Sequence, residues 1–349
     1  MFSIQDTDLH HILQHTRPVW RELDGARIFI TGGTGFFGMW LLESLWSASL
    51  QTGSQIDVTV LSRAPERFLQ KFPHLRAMPG LTWLSGAVQD FPFPSGSFTH
   101  VIHAATPASA DLNQNQPLLM LDTITQGTRR VLDFAVQAGV QTFLFTSSGA
   151  IYGTQPPEVS HLSETHMGKM DPLQPSAAYG VGKWMAEHLV NTYAQTYGFK
   201  APLARCFAFV GPYSPLDTHF AIGNFIHNAL HHETIHLHGD GTPYRSYLYA
   251  ADLMIWLWKI LHTGQSGRAY NVGSEEAIQL IDLAGLVAQQ VQPHLKVTVA
   301  KVADPSMLPA RYVPSTQRAQ QELALKQWIG LEEGIQRTLN WWQLCKNKN

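Results

Sequence analysis

Residues 31–38 read TGGTGFFG, and this glycine-rich stretch decides how the rest of the chain is interpreted. The run before it, Ala26–Thr31, is apolar and rich in β-formers, and Phe36–Leu50 after it has the spacing of a helix. A strand, a glycine turn and a helix in this order place backbone amides at a helix N-terminus, where a pyrophosphate can bind. The stretch therefore predicts a dinucleotide-binding loop.

The glycines at Gly32, Gly35 and Gly38 are spaced G-x-x-G-x-x-G, unlike the G-x-G-x-x-G of classical dinucleotide sites. The physical requirement is the same, because glycine allows a tight turn and a close approach of the backbone to a phosphate. A glycine turn by itself is often only a turn. Its position between a strand and a helix favours cofactor binding.

Further along the chain, short apolar runs alternate with helical patterns, which is typical of parallel strands joined by crossover helices. The later predicted strands are Ile56–Ser62, Leu81–Ser85, His100–Ala104, Gln141–Thr146, Ala201–Cys206 and Ala269–Val272. The later predicted helices are Leu118–Ala138, Ala177–Tyr197 and Ala250–Leu261. We expect an α/β fold, a Rossmann-like doubly wound parallel sheet with a smaller C-terminal substrate-binding lobe.

The predicted domain organisation has three parts. Residues 1–25 form an N-terminal leader to which we assign no function. Residues 26–210 form the NAD(P)-binding domain, and residues 243–291 complete it. Residues 211–242 and 292–349, which contain many Pro, Gly and His residues, form the substrate-binding lobe.

Composition limits the classes of function. The chain has 349 residues, of which 44% are hydrophobic and 14% charged, an ordinary globular balance. Its formal net charge of −2 offers no positive field for nucleic acid. Cys206 and Cys345 lie far apart in sequence and suggest no disulfide framework. No apolar run has the length of a signal peptide or a membrane span, so we expect a cytoplasmic protein bound to neither membrane nor nucleic acid.

Histidine is frequent, with 17 copies and two clusters, at residues 10–15 and 227–238. A metal site is one interpretation of these clusters. Neither cluster includes cysteine or carboxylate ligands at a recognisable metal spacing. Surface positions on helices and one strand explain them better, and we predict no metal site.

The cofactor type is indicated by the residues after the second strand. A carboxylate there favours NAD, because it binds the adenosine ribose, whereas a basic residue accommodates the extra phosphate of NADP. This chain has Ser62-Arg63 and no carboxylate before Glu66, so we expect NADP, with NAD as the alternative. Arg63 would have no such role if it stacked over the adenine or faced solvent.

A tyrosine and a lysine four residues apart indicate an acid/base pair. Tyr179 and Lys183 lie on one face of the predicted helix, and an ammonium group near a phenol lowers the pKa of that phenol from about 10. Ser148, at the end of an earlier strand, could hydrogen-bond the same substrate oxygen. The pair alone is weak evidence, but the glycine loop, the serine and the pair in this order are specific.

The chain resembles the extended short-chain dehydrogenase/reductase family, and within it the NAD-dependent epimerase/dehydratase enzymes that modify nucleotide sugars. Besides the glycine loop and Tyr179-x-x-x-Lys183, the resemblance is carried by residues 146–153 (TSSGAIYG), 205–212 (RCFAFVGP) and 239–245 (GDGTPYR). It extends over residues 26–342. The family includes UDP-galactose 4-epimerase, dTDP-glucose 4,6-dehydratase and UDP-glucuronate decarboxylase.

The resemblance implies a role for each matching residue. Tyr179 is the acid/base at a sugar hydroxyl or ketone, Lys183 holds the nicotinamide ribose, and Ser148 polarises the reacting oxygen. The sugar-nucleotide diphosphate is bound by Arg245 and Arg311, with Asn224 as a further contact, although Arg311 could also be a plain surface residue. The predicted cofactor contacts are Gly32, Gly35, Phe36, Phe37, Gly38, Ser62, Arg63, Val88, Ala104, Tyr179 and Lys183.

Four positions depart from the family pattern. Dehydratases carry an acidic pair after the catalytic Ser or Thr, and decarboxylases a Glu, but this chain has Gly149 and Ala150, which cannot move a proton. Glu158 or Glu164 could substitute only from a following loop. Ala87 and Ala208 replace an Asp that reaches the adenine and an Asn that contacts phosphate. The four departures are therefore Ala87, Gly149, Ala150 and Ala208.

The remaining chemistry is hydride transfer with one tyrosine acid/base. Two reactions need only that: NADPH-dependent reduction of an NDP-4-keto-(6-deoxy)hexose, and 4-epimerisation of an NDP-sugar with retained NAD. Arg63 favours the reductase. Dehydration or decarboxylation is a weaker alternative, and a non-catalytic dinucleotide-binding protein is the weakest. The resemblance also implies a homodimer, formed through the helices near residues 118–138 and 177–197.

Overall fold

A computed structural model describes residues 3–106, 109–216 and 220–346 of the chain. The strands are β1 Arg27–Thr31, β2 Asp57–Ser62, β3 Leu81–Ser85, β4 His100–His103, β5 Thr142–Ser148, β6 Leu203–Cys206, β7 Phe209–Val210, β8 Ile235–Leu237, β9 Tyr244–Arg245, β10 Leu248–Tyr249, β11 Ala269–Val272, β12 Ile278–Gln279, β13 Val297–Val299 and β14 Arg311–Tyr312. The helices are α1 Asp6–Glu22, α2 Phe36–Thr52, α3 Pro65–Lys71, α4 Ala110–Asn115, α5 Pro117–Gln137, α6 Ala178–Tyr197, α7 Ala221–His231, α8 Ala250–Thr263, α9 Leu280–Gln289, α10 Gln317–Leu323 and α11 Leu331–Lys346.

Seven strands form one parallel sheet in the order β11-β6-β5-β4-β1-β2-β3. Strand β1 pairs with β2 on one side and with β4 on the other, so the strand order reverses at β1. In an open α/β sheet, ligands bind at the carboxyl ends of the strands beside such a reversal. The glycine loop follows β1 at this point. The predicted Rossmann-like doubly wound sheet is confirmed.

Helices cover both faces of the sheet because consecutive side chains of a strand point to opposite faces. Ile28 and Ile30 belong to the hydrophobic core on the face of α1, α2 and α8, whereas Phe29 belongs to the core on the face of α5 and α6. All three side chains are fully buried. The β-rich run that precedes the glycines therefore anchors the loop between two packed layers.

Helix α1 lies within the segment that the sequence suggests to be a leader. It packs against α2 and α8, and the rings of Trp20 and Trp258 lie 4.8 Å apart between centroids. The hydroxyl of Tyr249 donates to the carboxylate of buried Asp8 at 2.6 Å. The apolar side of α1 is thus part of the core that supports the sheet.

Small sheets build the remainder of the C-terminal half. Strand β9 lies between β12 and β14, and β8 pairs with β13. Strands β9 and β14 are parallel, with Tyr244 opposite Arg311 and Arg245 opposite Tyr312. Within the described residues, no helix is long and apolar enough to cross a membrane.

Strand β5 is longer than the sequence suggests. The predicted strand ends at Thr146, but the observed one continues to Ser148, because Ser147 and Ser148 pair with Arg205 and Cys206 of β6. Polar side chains obscure the strand pattern there, while the backbone ladder with a neighbouring strand extends it. The extension places Ser148 at the carboxyl edge of the sheet.

Candidate active site

The glycine loop, residues 32–38, is packed backbone against backbone. A Cβ on Gly32, whose φ is +75°, would lie 2.5 Å from the carbonyl carbon of Ala104, at the end of β4. A Cβ on Gly38 would lie 2.2 Å from the carbonyl carbon of Gly33. Only glycine fits these two positions, so the turn is held close to the sheet edge.

The outer side of the same loop is open. A Cβ on Gly35 would meet only the carbonyl oxygen of Gly32, at 3.5 Å. Helix α2 starts after Gly35 without a side-chain cap and without an acidic residue in its first turn. Uncapped amides at the positive end of a 17-residue helix suit an anion. The loop therefore fits a dinucleotide pyrophosphate.

The other predicted cofactor contacts lie around this loop at the same edge. Phe36 and Phe37 open α2, and the ring of Phe37 packs edge-on against Phe209 at 5.3 Å. Val88 fits over Gly127 of α5, where a Cβ would lie 2.7 Å from a Val88 methyl. Their contact with a cofactor stays a prediction.

The end of β2 presents a basic residue and no available carboxylate nearby in sequence. Ser62 is buried and accepts a hydrogen bond from the amide of Ala64 at 3.3 Å, whereas Arg63 is exposed. Glu66, the first acid after the strand, forms an ion pair with Arg76 at 2.8 Å.

Ser148 and Tyr179 come together from different elements. Ser148 ends β5 and its hydroxyl accepts the amide of Ala150 at 3.1 Å. Tyr179 lies in the first turn of α6, and its backbone amide donates to the side-chain oxygen of Asn113 at 2.9 Å. The Ser148 side chain is near enough to the Tyr179 phenol to lower the pKa of that phenol. Asn113 was not predicted, since α4 has no recognisable motif.

Lys183 lies one turn after Tyr179 on α6, as the spacing predicts, and is buried. Its ammonium donates to the carbonyl of Thr146 at 2.7 Å and lies 4.8 Å from the centre of the Phe145 ring. Burial lowers the pKa of Lys183 to about 8. Burial also raises the pKa of Tyr179, and the nearby Ser148 side chain partly opposes that rise. The expected lowering of the Tyr179 pKa by Lys183 stays a prediction.

A second tyrosine, which the sequence analysis missed, completes this group. The hydroxyl of Tyr312 on β14 lies 2.6 Å from the point that a Cβ on Gly149 would occupy, and its ring packs on Phe207 with centroids 4.7 Å apart. Both side chains lie over Gly149. We call the five residues the tyrosine cluster: Ser148, Gly149, Tyr179, Phe207 and Tyr312. Tyr312 carries no sequence signal besides its position after Arg311, since 163 residues of separation from Gly149 hide the contact.

The two predicted diphosphate arginines lie next to the tyrosine cluster on paired strands. Arg245 is on β9 opposite Tyr312, and Arg311 is on β14 with its guanidinium 4.1 Å from the centre of the Tyr244 ring. Both are partly exposed. Asn224 lies on another element, in the first turn of α7. Diphosphate binding by all three stays a prediction.

The loop acids that could have replaced the missing elimination groups have other surroundings. Glu158 is exposed. The carboxylate of Glu164 accepts the amide of Asn271 at 2.8 Å and faces Arg318 at 3.9 Å. These two contacts hold the Glu164 side chain against β11, so it is not free to transfer protons.

A buried network of one ion pair and several hydrogen bonds packs against Phe207 of the tyrosine cluster. Arg205 of β6 pairs with Glu187 of α6 at 2.8 Å and donates to the Tyr152 hydroxyl at 2.9 Å. Tyr152 in turn donates to the side chain of Asn271 at 2.8 Å. The ring of Tyr152 packs on Phe207, 6.1 Å between centroids, on the side of the supporting network. In the part of the chain that the structure describes, no group of three or more His, Cys, Asp or Glu could hold a metal ion.

Comparison with known proteins agrees with this geometry. The sequence profile of the NAD dependent epimerase/dehydratase family matches residues 28–273. UDP-glucuronic acid decarboxylase 1 of Xenopus tropicalis is 28% identical over 322 residues, which are 92% of this chain and 73% of that protein.

Solved structures share the fold. The UDP-N-acetylglucosamine 4-epimerase of Methanobrevibacter ruminantium M1, in complex with UDP-N-acetylmuramic acid, has a TM-score of 0.78 at 18% identity, covering 92% of this chain and 99% of that one. The dTDP-glucose 4,6-dehydratase DesIV of Streptomyces venezuelae, with NAD and TYD bound, has a TM-score of 0.75 at 22% identity, covering 92% and 98%.

Proposed function

The chain belongs to the NAD-dependent epimerase/dehydratase family, and from that premise we propose that it is an NADPH-dependent reductase of an NDP-4-keto-(6-deoxy)hexose. In this proposal, residues 26–210, completed by residues 243–291, hold the dinucleotide. Residues 211–242 and 292–349 hold the nucleotide sugar. Relatives named as epimerases, dehydratases and decarboxylases of nucleotide sugars support this substrate class.

The observation that carries the proposal is the chemical content of the tyrosine cluster. Positions 149 and 150 are Gly and Ala, and the space over Gly149 is filled by Tyr312 and Phe207. A dehydration needs an acid or base beside the acid/base tyrosine, to remove one proton and to protonate the departing hydroxyl, and Gly149 and Ala150 supply neither. Decarboxylases of the family carry a Glu there, which this chain also lacks. Simple addition of a hydride and a proton to a ketone needs only one proton donor.

Each residue of the site has its own role in this reaction. When bound, NADPH supplies the hydride to the carbonyl carbon. Tyr179 gives its proton to the ketone oxygen as the alcohol forms, and Ser148 hydrogen-bonds the same oxygen. Lys183, whose pKa is lowered by burial only to about 8, remains mostly protonated at neutral pH and places a positive charge beside the nicotinamide ribose.

NADP is preferred to NAD because of the end of β2. The exposed guanidinium of Arg63 suits a ribose phosphate, and the nearest following acid, Glu66, is paired with Arg76. The glycine loop accommodates the pyrophosphate of either dinucleotide. Gly35 lies on the open side of the loop, which leaves room for it.

An NAD-retaining 4-epimerase is the second candidate. The same single acid/base tyrosine serves an oxidation followed by a reduction, and the lack of elimination groups at Gly149 and Ala150 permits this reaction as well.

One experiment separates the two candidates. The purified protein is denatured and the released nicotinamide nucleotide is identified by mass spectrometry, and empty protein is titrated with NADPH and NADH. An empty site that prefers NADPH, followed by NADPH consumption with an NDP-4-keto-sugar, supports the reductase. Tightly held NAD near one-to-one, with interconversion of NDP-sugar 4-epimers and no net cofactor change, would overturn it.

We also propose that the protein is a homodimer formed through α5 and α6. These two helices pack against each other and leave large apolar side chains exposed on their outer side. Leu118 is 77% exposed, Trp184 60% and Met185 43%. A second copy of the same surface would bury them. Light scattering at micromolar concentration should give twice the chain mass, and a Trp184→Glu variant should give a monomer.

A further inference from the structure

One face of helix α2 runs along the chain segment that leads into the predicted substrate-binding lobe. The ring of Phe37 packs edge-on against Phe209, with centroids 5.3 Å apart. One turn later, the indole nitrogen of Trp40 donates to the carbonyl of Pro212 at 2.8 Å. Residues three apart lie on the same face of a helix. The helix that starts at the glycine loop therefore contacts this segment in consecutive turns.

The next position on this face of α2 is Glu43, whose side chain is only 2% exposed. The hydroxyl of Tyr213 donates to Oε1 of Glu43 at 2.5 Å. The amide of Ile4 donates to Oε2 at 2.6 Å, and Nε2 of His74 lies 3.0 Å from Oε1. A buried carboxyl group costs free energy unless polar partners surround it. Tyr213 is thus one of three partners that this group requires.

The backbone of Tyr213 has an uncommon conformation. Its φ is +67°, in the left-handed region that residues other than glycine rarely adopt. Such a conformation persists where surrounding contacts fix the residue. The ring of Tyr213 packs on Phe72 and on Trp341, with centroids 5.7 and 4.6 Å away. These ring contacts and the hydrogen bond to Glu43 hold Tyr213 in place.

The residues after Tyr213 carry this placement to helix α7. A Cβ on Gly223 would overlap the carbonyl oxygen of Pro215, so the start of α7 is packed directly on the backbone of this segment. Asn224, the predicted diphosphate contact, is the next residue of α7. The position of Asn224 therefore depends on where residues 213–215 lie.

We propose that Tyr213, held by Glu43, is a positioning residue of the substrate site that fixes the start of α7 relative to the helix that begins at the dinucleotide loop. Hydride transfer requires its donor and acceptor carbons to be close and aligned, so the elements that bind the two ligands need a fixed relation. Tyr213 acts through α7 and not by touching the sugar. This inference rests on the proposed function, in which Asn224 contacts the nucleotide sugar.

The first test needs no ligand. Hydrogen exchange of the full chain, followed by mass spectrometry, reports how often the amides of residues 224–227 in α7 open. We expect Tyr213→Phe to speed their exchange by about tenfold, the size of one hydrogen bond to a charged group. Peptides from β1 and β5 should exchange as in the unchanged protein.

The Glu43→Gln variant tests the partner of the phenol. It should also speed the exchange of residues 224–227, because it weakens the same hydrogen bond. Combined with Tyr213→Phe, it should have less than its separate effect, since two changes that break one interaction are not additive.

The second test is calorimetric titration with UDP, dTDP and NADPH. Tyr213→Phe should weaken the binding of UDP or dTDP by about threefold to tenfold and leave the affinity for NADPH unchanged. A loss confined to the nucleotide of the sugar separates positioning of α7 from a general loss of stability, which would not distinguish the two ligands.

Tyr193→Phe is the matched control. The hydroxyl of Tyr193 donates to the carboxylate of Asp133 at 2.6 Å, and its ring belongs to the core on the other face of the sheet. This variant loses a comparable hydrogen bond, and residues 224–227 should exchange as before. Unchanged exchange in Tyr213→Phe, equal acceleration in the control, or unchanged affinity for UDP and dTDP would overturn the proposal.

These outcomes are distinguishable from those that test the proposed reaction. Faster exchange and weaker UDP or dTDP binding in Tyr213→Phe, in a protein that reduces no keto-sugar, would reject the reductase and keep the positioning role. Reductase activity together with unchanged exchange of residues 224–227 would do the reverse.

Discussion

The glycine loop and the tyrosine cluster lie at the same edge of the sheet but are built differently. The loop is a continuous run of residues whose backbone packs on itself and on the end of β4, with Gly38 pressed against Gly33. The cluster is assembled from three strand ends and a helix, and Gly149 meets Tyr312 only in the folded chain. The loop therefore tolerates no added atom on its inner side, whereas the cluster depends on single side-chain oxygens.

This difference separates two kinds of requirement. A phosphate can be bound by backbone amides at a helix start, which any sequence with the right glycines provides. Acid/base chemistry needs particular side-chain atoms at particular positions, which distant segments must deliver. Substitutions in the two regions should accordingly fail in different ways.

The largest effect is expected from removing one oxygen in the tyrosine cluster. Tyr179→Phe should lower the rate of hydride transfer by about a hundredfold to ten-thousandfold, because it removes the proton donor. The melting temperature and NADPH affinity should stay close to those of the unchanged protein. A stopped-flow measurement of NADPH absorbance checks the rate. If this variant unfolded instead, the cluster would be needed for folding, and the contrast with the glycine loop would be wrong.

A smaller effect is expected from adding one carbon to the loop. Gly38→Ala should lower the free energy of unfolding by about 3 kcal/mol, because its Cβ would overlap the backbone of Gly33. Gly35→Ala is the matched control, since its Cβ points to open space. Urea unfolding should find it nearly as stable as the unchanged protein. It should nevertheless lose the rise in melting temperature that NADPH produces, because the methyl occupies the phosphate position.

A further contrast concerns the arginines beside the cluster. Arg245→Ala should weaken the binding of UDP or dTDP by about tenfold to a hundredfold, the range of a lost charge-assisted hydrogen bond. Exposed Arg21→Ala on α1 is the control for the loss of one positive charge. Calorimetric titration gives both affinities. Equal weakening by the two variants would mean that only overall charge matters.

The smallest effect is expected from lowering the pH, through a buried histidine beneath the glycine loop. His103 is buried between Thr31 and Thr128, with hydrogen bonds of 2.6 and 3.1 Å to their hydroxyls, and burial lowers its pKa from 6.5 to about 3. Below pH 6.5, residue 103 binds a proton in the unfolded chain but not in the folded chain. The contribution of neutral His103 to the free energy of unfolding is therefore lost as the pH falls from 6.5 toward 3. About 1–2 kcal/mol should disappear between pH 7 and 5.

His103→Gln tests that assignment, because it removes the titrating group and keeps a polar side chain. Its free energy of unfolding, measured with urea at both pH values, should depend less on pH than that of the unchanged protein. Exposed His236→Gln should leave the dependence as it was. If the two histidine variants had the same dependence as the unchanged protein, the acid sensitivity would lie elsewhere.

Sequence reasoning recovered the continuous parts of the molecule best. Strand β11 was predicted with its observed bounds, and the start of α2 at Phe36 was correct. Boundaries were less accurate where polar residues continue an element, as at Ser147 and Ser148 of β5. The leader shows the same limit, because its sequence does not reveal that α1 packs on α8.

Within the candidate site, the predicted Ser148, Tyr179 and Lys183 converge because motif spacing places each at a strand end or on one helix face. Tyr312 and Asn113 were missed. Asn113 accepts the Tyr179 amide, and Tyr312 lies over Gly149, yet neither belongs to a local pattern. Their contacts arise from how α4 and β14 pack.

The sequence by itself determined the glycine loop, the parallel sheet and the Tyr179–Lys183 spacing, because glycine conformation, side-chain alternation and helix periodicity act over a few residues. Only the tertiary structure decided what occupies the space over Gly149. That space is filled from β14, 163 positions later, and burial there sets the protonation of both phenols. Burial and long-range contact depend on the packing of whole elements, which no local run of residues specifies.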